Sequence, residues 1–257
     1  MQINIFSLDK ISEIIAKYSS VSLDEINEVK LMNRIDSKYV FNASKLPEIL
    51  ELIREQFFVL EIGGNRVQTY NTSYYDTADY QMYINHHNGR QNRFKIRHRF
   101  YKNDKKGFLE IKFKSNKGRT IKNRISLNSV DDIYTEKGTE FIQQITPYNS
   151  NDLKVALSNS FSRITLVSRA FDQRLTIDTN LAFSGFEKEH SNPNISIIEV
   201  KRDKFSQNTG INQILKDLKI YQSGLSKYCL GMVYLNQNIK QNTFKSKLIT
   251  IKKIENA

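Results

Sequence analysis

Residues 93–99 read Arg93-Phe94-Lys95-Ile96-Arg97-His98-Arg99. A cation stands at every second position, and in a β-strand side chains two apart share a face. Arg93, Lys95, Arg97 and Arg99 therefore line one surface, while Phe94, Ile96 and His98 point the other way. Neighbouring cations on that surface lie about 7 Å apart and repel unless something anionic lies across them. The stretch implies an anionic ligand.

The pattern recurs along the chain. Arg34, Asp36 and Lys38 share a parity, as do Glu110, Lys112 and Lys114. Lys122 goes with Arg124, Arg163 with Thr165, Arg174 with Asp178, and Glu199 with Lys201 and Asp203. The opposite faces carry Leu109, Ile111 and Phe113, Ile121 and Ile125, Ile164 and Leu166, Leu175 and Ile177, then Ile198 and Val200. Two architectures satisfy this. An open antiparallel sheet would bury the apolar face and solvate the charged one. A closed barrel would turn the charges inward and cover its apolar outside with helices. Alternation alone does not say which face is interior. The charged faces favour arginine and lysine over the usual solvated mixture, and a tunnel accounts for that. Such a tunnel suits a chain of phosphates, because arginine offers a bidentate fork and lysine a point charge. A carboxylate among so many cations has a use as ligand to a divalent metal that bridges phosphate oxygens.

Composition agrees. The 257 residues include 39 Lys and Arg against 27 Asp and Glu, a formal net charge of +12. That balance selects an anionic partner: nucleic acid, phosphate-rich small molecules or an acidic membrane surface. The 15 Phe and 13 Tyr argue against disorder. A lone cysteine, Cys229, excludes an intramolecular disulfide and fits a reducing compartment. No apolar run approaches the roughly 18 residues of a membrane span, and the first residues do not read as a secretory signal. The expected setting is the cytoplasm, at most peripheral to the inner face of a membrane. No G-x-x-x-x-G-K-[ST] string is present. His86 and His87 lack a third ligand at a telling spacing and read as a solvated turn.

The expected fold is α+β, a single domain over 1–257, with a helical N-terminal extension (1–21) and a basic C-terminal tail (240–257). Ile11, Ile14, Ile15 and Tyr18 have helical spacing, and Ser22 with Glu25 has that of a capping box. Ser44 is expected to cap a helix burying Leu46, Ile49, Leu50, Ile53 and Phe57. Strands are predicted over 34–41, from 58 to Tyr75 with a turn at Gly63-Gly64-Asn65, then over 90–102, 108–114 and 119–128. Residues 76–87 read as a short helix and 129–160 as helical and irregular. Strands resume at 162–170, 174–183 and 195–203, followed by helices at 208–219 and from Ser226.

At these same residues the chain resembles a known family. RIDSKYVF (34–41), YYDT (74–77), FKIRHRFY (94–101), LEIKFK (109–114), KNR (122–124), IIEVK (197–201) and SKY (226–228) are similar to the catalytic domain of the vacuolar transporter chaperone (VTC) polyphosphate polymerases. Those enzymes belong to the triphosphate tunnel metalloenzymes. The resemblance runs from about Ser22 to Leu235. It implies a closed antiparallel barrel, covered by helices, in which the γ-phosphate of ATP is transferred to polyphosphate with Mn²⁺ or Mg²⁺. Carried over, it makes Arg97, Arg99, Lys112 and Arg163 catalytic, and Lys38, Lys122, Ser226 and Lys227 phosphate-binding. Glu199 corresponds to the metal-binding glutamate.

The chain departs from the pattern at Gly224, where the eukaryotic enzymes carry a lysine, and at Phe161, where a tyrosine is found. The E-x-E-x-K opening strand of the related CYTH enzymes is absent, which argues against thiamine triphosphatase and adenylyl cyclase. ATP and polyphosphate are the implied partners, with no nucleic acid. Regulation and coupling to translocation would fall to other chains, such as a separate membrane protein. Two rival functions stand beside polymerase: a triphosphatase using the same tunnel, and a non-catalytic polyphosphate or nucleic-acid binder. Against base stacking, the aromatic residues are expected on the face opposite the cations.

Overall fold

The structure is a computed structural model describing residues 5–28, 34–203 and 210–257. In chain order its elements are α1 (Ile5–Ala16), β1 (Ser20–Val21), α2 (Leu23–Glu28), β2 (Arg34–Asn42), α3 (Leu46–Ile53), β3 (Phe57–Leu60), β4 (Val67–Thr77) and α4 (Gln81–His87). Then come β5 (Arg93–Tyr101), β6 (Lys106–Lys114), β7 (Thr120–Ser126), α5 (Glu136–Ile145), β8 (Leu153–Ser168), β9 (Gln173–Gly185), β10 (Lys188–Asn192) and β11 (Ile195–Asp203). Helices α6 (Gly210–Asp217), α7 (Lys227–Leu235) and α8 (Lys245–Glu255) complete the chain.

The strands form one 11-stranded sheet with the path β2-β11-β9-β8-β4-β5-β6-β7, each step antiparallel. Among the described residues no ladder joins β7 to β2, so hydrogen bonds do not close the expected barrel. The sheet nevertheless curls on itself. Strands spaced about 4.8 Å apart would hold β6 and β11 more than roughly 20 Å apart in a flat sheet. Instead, Lys112 on β6 feels the charges of Glu199 on β11 and of Lys38 and Asp36 on β2. The two ends of the path face each other across a tunnel.

Packing decides which face is inside. Ile164, Leu166, Leu175, Ile177, Ile198 and Val200, all opposite in parity to the cations, lie in one core with α1, α3 and α6. The apolar faces are therefore the outside of the barrel, and the helices cover them. On α3, Leu46, Ile49, Leu50 and Ile53 are wholly buried, each contributing roughly 1.5–3 kcal/mol. Helix α7 behaves differently. Its Tyr228, Met232 and Val233 join Tyr70, Tyr74, Leu157, Phe161 and Ile197, which share the parity of the cations. It therefore packs against the inner face at one end of the barrel. Gly231 permits this seating, since a Cβ there would meet Phe183 Cδ1 at 2.6 Å and Leu157 Cδ2 at 3.0 Å.

Most expected elements are present, and the differences have physical reasons. The capping box of α2 forms, with Ser22 N–H donating to Glu25 Oε2 at 2.8 Å and Glu25 N–H to Ser22 Oγ at 3.3 Å. Ser44 is not a cap: the Asn42 side-chain oxygen Oδ1 accepts from Ser44 N–H and caps a 3₁₀ turn that leads into α3. Phe57 is buried as expected but opens β3 instead of ending the helix. Residues 153–160, expected to be irregular, begin the 16-residue strand β8. Their Ser and Asn content conceals a strand that pairs with β4 and β9. The basic tail is ordered as α8, anchored through buried Ile251. Residues 208 and 209, at the start of the expected 208–219 helix, lie outside the described residues.

Candidate functional site

The tunnel wall is organised around three carboxylates, each held by two cations, at least one of them from a neighbouring strand. Register places Glu110 beside Arg97 on β5 and Arg124 on β7, with Lys112 beside Lys122 in the next row. Arg97 donates to Glu110 Oε2 through Nε at 2.7 Å and Nη2 at 2.6 Å, and also to the Tyr74 hydroxyl. Lys122 reaches diagonally to Glu110 Oε1, as long side chains on neighbouring strands can. Asp178 accepts a bidentate fork from Arg163 (Nε to Oδ1 2.5 Å, Nη2 to Oδ2 2.8 Å) and a further bond from Lys227. Glu199 accepts from Lys38 at 2.5 Å and has Lys201 Nζ 3.8 Å from its other oxygen.

Burial alone would raise the pKa of each of these acids. For Glu110, Arg97, Arg99 and Lys122 outweigh burial and hold it well below the usual carboxylate range. Arg163 and Lys227 do the same for Asp178. Lys201, Lys38 and Arg163 pull Glu199 down to about 2. All three carry negative charge at neutral pH, yet the wall remains positive.

The excess sits on cations with no acid in ion-pair contact among the described residues. Arg99 is 7% exposed and makes one long contact, Nε to Thr72 Oγ1 at 3.4 Å. Its guanidinium lies 5.4 Å from the Tyr70 ring and 5.8 Å from that of Phe161. Burial and the neighbouring charge of Arg97 push its pKa down. Lys112 forms no ion pair among the described residues, and burial followed by Arg97 lowers its pKa. Lys95 donates to Ser226 Oγ at 2.8 Å. That hydroxyl also caps α7 by accepting from Cys229 N–H at 3.3 Å. The positive end of the α7 dipole thus meets the cationic wall, and Lys227 next to the cap lies 4.5 Å from the Phe161 ring centre.

Lys38, Arg97, Arg99, Lys112, Lys122, Arg163, Lys227 and Glu199 are all brought to this inner surface, with Ser226 at the α7 cap. Sequence reasoning gave no site role to Asp178, which only register joins to Arg163, and none to Lys95, since the resemblance assigns roles on that strand only to Arg97 and Arg99. Two expectations are corrected. Tyr70 and Phe161 share the cations' face, stacked 5.1 Å apart. They are 7% and 2% exposed, so neither offers a free ring to a base. His86 and His87 do not form a solvated turn either. They end α4 beside Phe244, and His87 is buried.

The donor set bears on a metal. Among the described residues no three His, Cys, Asp or Glu side chains gather into a cage. Glu199 is a single carboxylate facing the cationic wall, with Asp36 one cross-strand row further along β2. That arrangement fits Mg²⁺ or Mn²⁺, which are commonly held by one or two carboxylates plus phosphate oxygens and water.

The lysines make anion binding pH-dependent. Burial, partly countered by Glu110, lowers Lys122 to about 8, and burial likewise brings Lys95 to about 8. Tripolyphosphate affinity is therefore expected to fall as pH rises past 8, which calorimetric titration on either side of that value would measure. Without ligand the sign reverses. Unfolded lysines keep their protons to about 10.4, so the unfolded state binds more protons between 8 and that value, and stability rises with pH there. The depressed carboxylates act at the other end: their contribution is complete above about pH 4 and is lost as pH falls below it. Affinity that stays level between pH 7 and 9.5 would count against charged Lys95 and Lys122 in ligand binding.

A curled antiparallel sheet with a basic interior, punctuated by paired acids, fits the triphosphate tunnel class. A model of the VTC domain matches residues 33–236, and the chain belongs to that family. Among solved structures, a candidate adenylyl cyclase from Hippeastrum, described as having a dominant triphosphatase activity, aligns with TM-score 0.52 and 12% identity. That match covers 78% of this chain and 96% of the other, and supports the fold. A candidate adenylate cyclase from Bacillus halodurans aligns at TM-score 0.49 and 15% identity over 76% and 94% of the two chains. No curated protein sequence matches.

Proposed function

We propose that this protein is a polyphosphate polymerase that transfers the γ-phosphoryl group of ATP to the end of a polyphosphate chain inside the tunnel. The observation that carries the reading is the unbalanced charge. After Glu110, Asp178 and Glu199 are paired, Arg99, Lys95 and Lys112 still lack an ion-paired acid among the described residues. A linear polyanion supplies the missing charge along the whole wall, which a single phosphate would not.

In the proposed reaction a terminal oxygen of the acceptor chain attacks the γ-phosphorus, and the bond from that phosphorus to the β,γ-bridging oxygen breaks. ADP leaves one phosphate shorter, and the acceptor gains one. Phosphoryl transfer asks mainly for alignment and charge neutralisation. Arg97, Arg99 and Arg163 would clamp the equatorial oxygens, with Lys112 and Lys122 along the chain and Lys38, Ser226 and Lys227 orienting the remaining oxygens. A divalent metal held by Glu199 would neutralise the phosphate charge that the lysines do not reach.

The test is product analysis with ATP and Mn²⁺ or Mg²⁺. Long polymer on a gel supports the polymerase; orthophosphate alone would make it a triphosphatase, the activity reported for the Hippeastrum neighbour. Glu199→Ala is expected to lose metal-dependent synthesis by about tenfold, one lost charge contact being worth roughly 1.4 kcal/mol in the barrier. Undiminished metal-dependent synthesis by that variant would remove Glu199 from the metal site.

A further inference from the structure

Beyond the clamps, the rim of the barrel carries a second set of cations. Arg93 opens β5 and Lys114 closes β6, and register makes them direct partners. The next row inward is Lys95, Lys112 and Lys122 on three adjacent strands. Like charges placed directly opposite in a sheet are destabilising, and here two such rows follow one another. Neither Arg93 nor Lys114 forms an ion pair among the described residues; Arg93 Nη1 donates instead to the Arg90 carbonyl at 2.6 Å.

Helix α8 adds to this rim from elsewhere in the chain. Lys247 Nζ lies 3.7 Å from where a Cβ on Gly224 would stand, two residues before the Ser226 cap. Its charge reaches the same interior points as the β5 and β6 cations. Burial, with Lys95, Arg93, Lys247 and Lys114 in that order, holds the His86 imidazole down at about 3. Lys95, Arg93 and Lys247 also act together on Cys229. Four cations from β5, β6 and α8 thus surround one region, and no carboxylate within ion-pair distance of Arg93, Lys95, Lys114 or Lys247 is found among the described residues.

We propose that Arg93, Lys114 and Lys247 form an outer phosphate subsite at this rim, continuing the anion path beyond the clamps and favouring long polyphosphate over ATP-sized ligands. The ligand is the same linear polyanion as in the proposed function, and the subsite rests on that reading for its substrate class. It differs in what it recognises, which is chain length instead of the reacting phosphates. The α8 residue makes it specific to this rim: a second element is laid against the tunnel with its lysine turned toward the gap over Gly224.

The experiment compares binding of tripolyphosphate and of long-chain polyphosphate to wild type, Arg93→Ala/Lys247→Ala and Lys247→Glu, with melting curves to verify folding. The variants are expected to bind tripolyphosphate as wild type does and to lose about tenfold for the long chain, with a shallower dependence on salt. Lys247→Glu, on an exposed helix, keeps the test available should the double variant fold poorly. Equal losses for both ligands, no loss for either, or a wild type that binds the long chain no more tightly than tripolyphosphate would overturn the subsite. Because these are binding measurements, a wild type that hydrolyses ATP without making polymer would remove the polymerase reading and leave a length-dependent result intact.

Discussion

Glu110→Gln is expected to destabilise the ligand-free protein by about 3 kcal/mol and to make it gain more stability from tripolyphosphate than wild type does. Glu110 is 1% exposed and anchors two cations, Arg97 at 18% and Lys122 at 37% side-chain exposure. Losing one member of a buried ion pair costs about 3–5 kcal/mol, because the remaining charge is left uncompensated. The lower figure applies, since Lys122 is accessible enough for water to screen it and Arg97 keeps the Tyr74 hydroxyl. For a chain of this size the melting temperature should fall by roughly 6–12 °C. The same two cations then face the tunnel without a competing carboxylate, so an anion binds them with less to displace. Scanning calorimetry with and without tripolyphosphate measures both effects. A melting temperature equal to that of wild type, or a smaller rise on adding tripolyphosphate, would show that Glu110 does not restrain these cations.

The two-sided role of Glu110 also explains what was legible in the sequence. Period-two alternation identified nearly every long strand of the path, and the cation parity named the tunnel face correctly for Arg97, Lys112, Arg163 and Glu199. Alternation is a local signal, and it carries no information on which strands become neighbours. Asp178 therefore went unmarked. It shares a parity with Arg174 in the sequence, but its partners Arg163 and Lys227 are 15 and 49 residues away. The ambiguity between a solvated sheet and a lined tunnel had the same origin. It was decided by the outer helices, because α1, α3 and α6 bury the apolar faces, and long-range packing of that kind leaves no periodic trace in the strands. Residues 153–160 hid as a strand for a different reason. The outer face there is serine-rich, with Ser158 bonded to Ser73 at 2.8 Å, so the usual contrast of apolar against charged is missing. The aromatic residues misled in the opposite direction. Tyr70 and Phe161 belong to the cation face because α7 packs against that face and gives it an apolar partner at one end.

Arg99→Met separates ligand binding from folding more sharply than any other substitution in the tunnel. Arg99 is more buried than Arg97 and Arg163 and has no carboxylate in ion-pair contact among the described residues, so its desolvation is only partly offset, by the charge of Glu110. Methionine fills similar space and keeps favourable contact with the Tyr70 and Phe161 rings. Losing the cation–π contacts costs about 0.5–2 kcal/mol, while removing a buried unpaired charge returns several. The net expectation is a ligand-free variant at least as stable as wild type. Its tripolyphosphate affinity, and the rate of the proposed phosphoryl transfer, should each fall about a hundredfold, near 3 kcal/mol, because charge-assisted phosphate contacts are strong and Arg99 is buried. Arg163→Met is the control. Its guanidinium is committed to Asp178 through two hydrogen bonds, so that variant should lose stability and affinity together. Melting curves and titrations on the two proteins give the comparison. If Arg99→Met melts well below wild type and still binds tripolyphosphate tightly, Arg99 serves the fold, and the unbalanced charge of the tunnel must answer to something other than a phosphate chain.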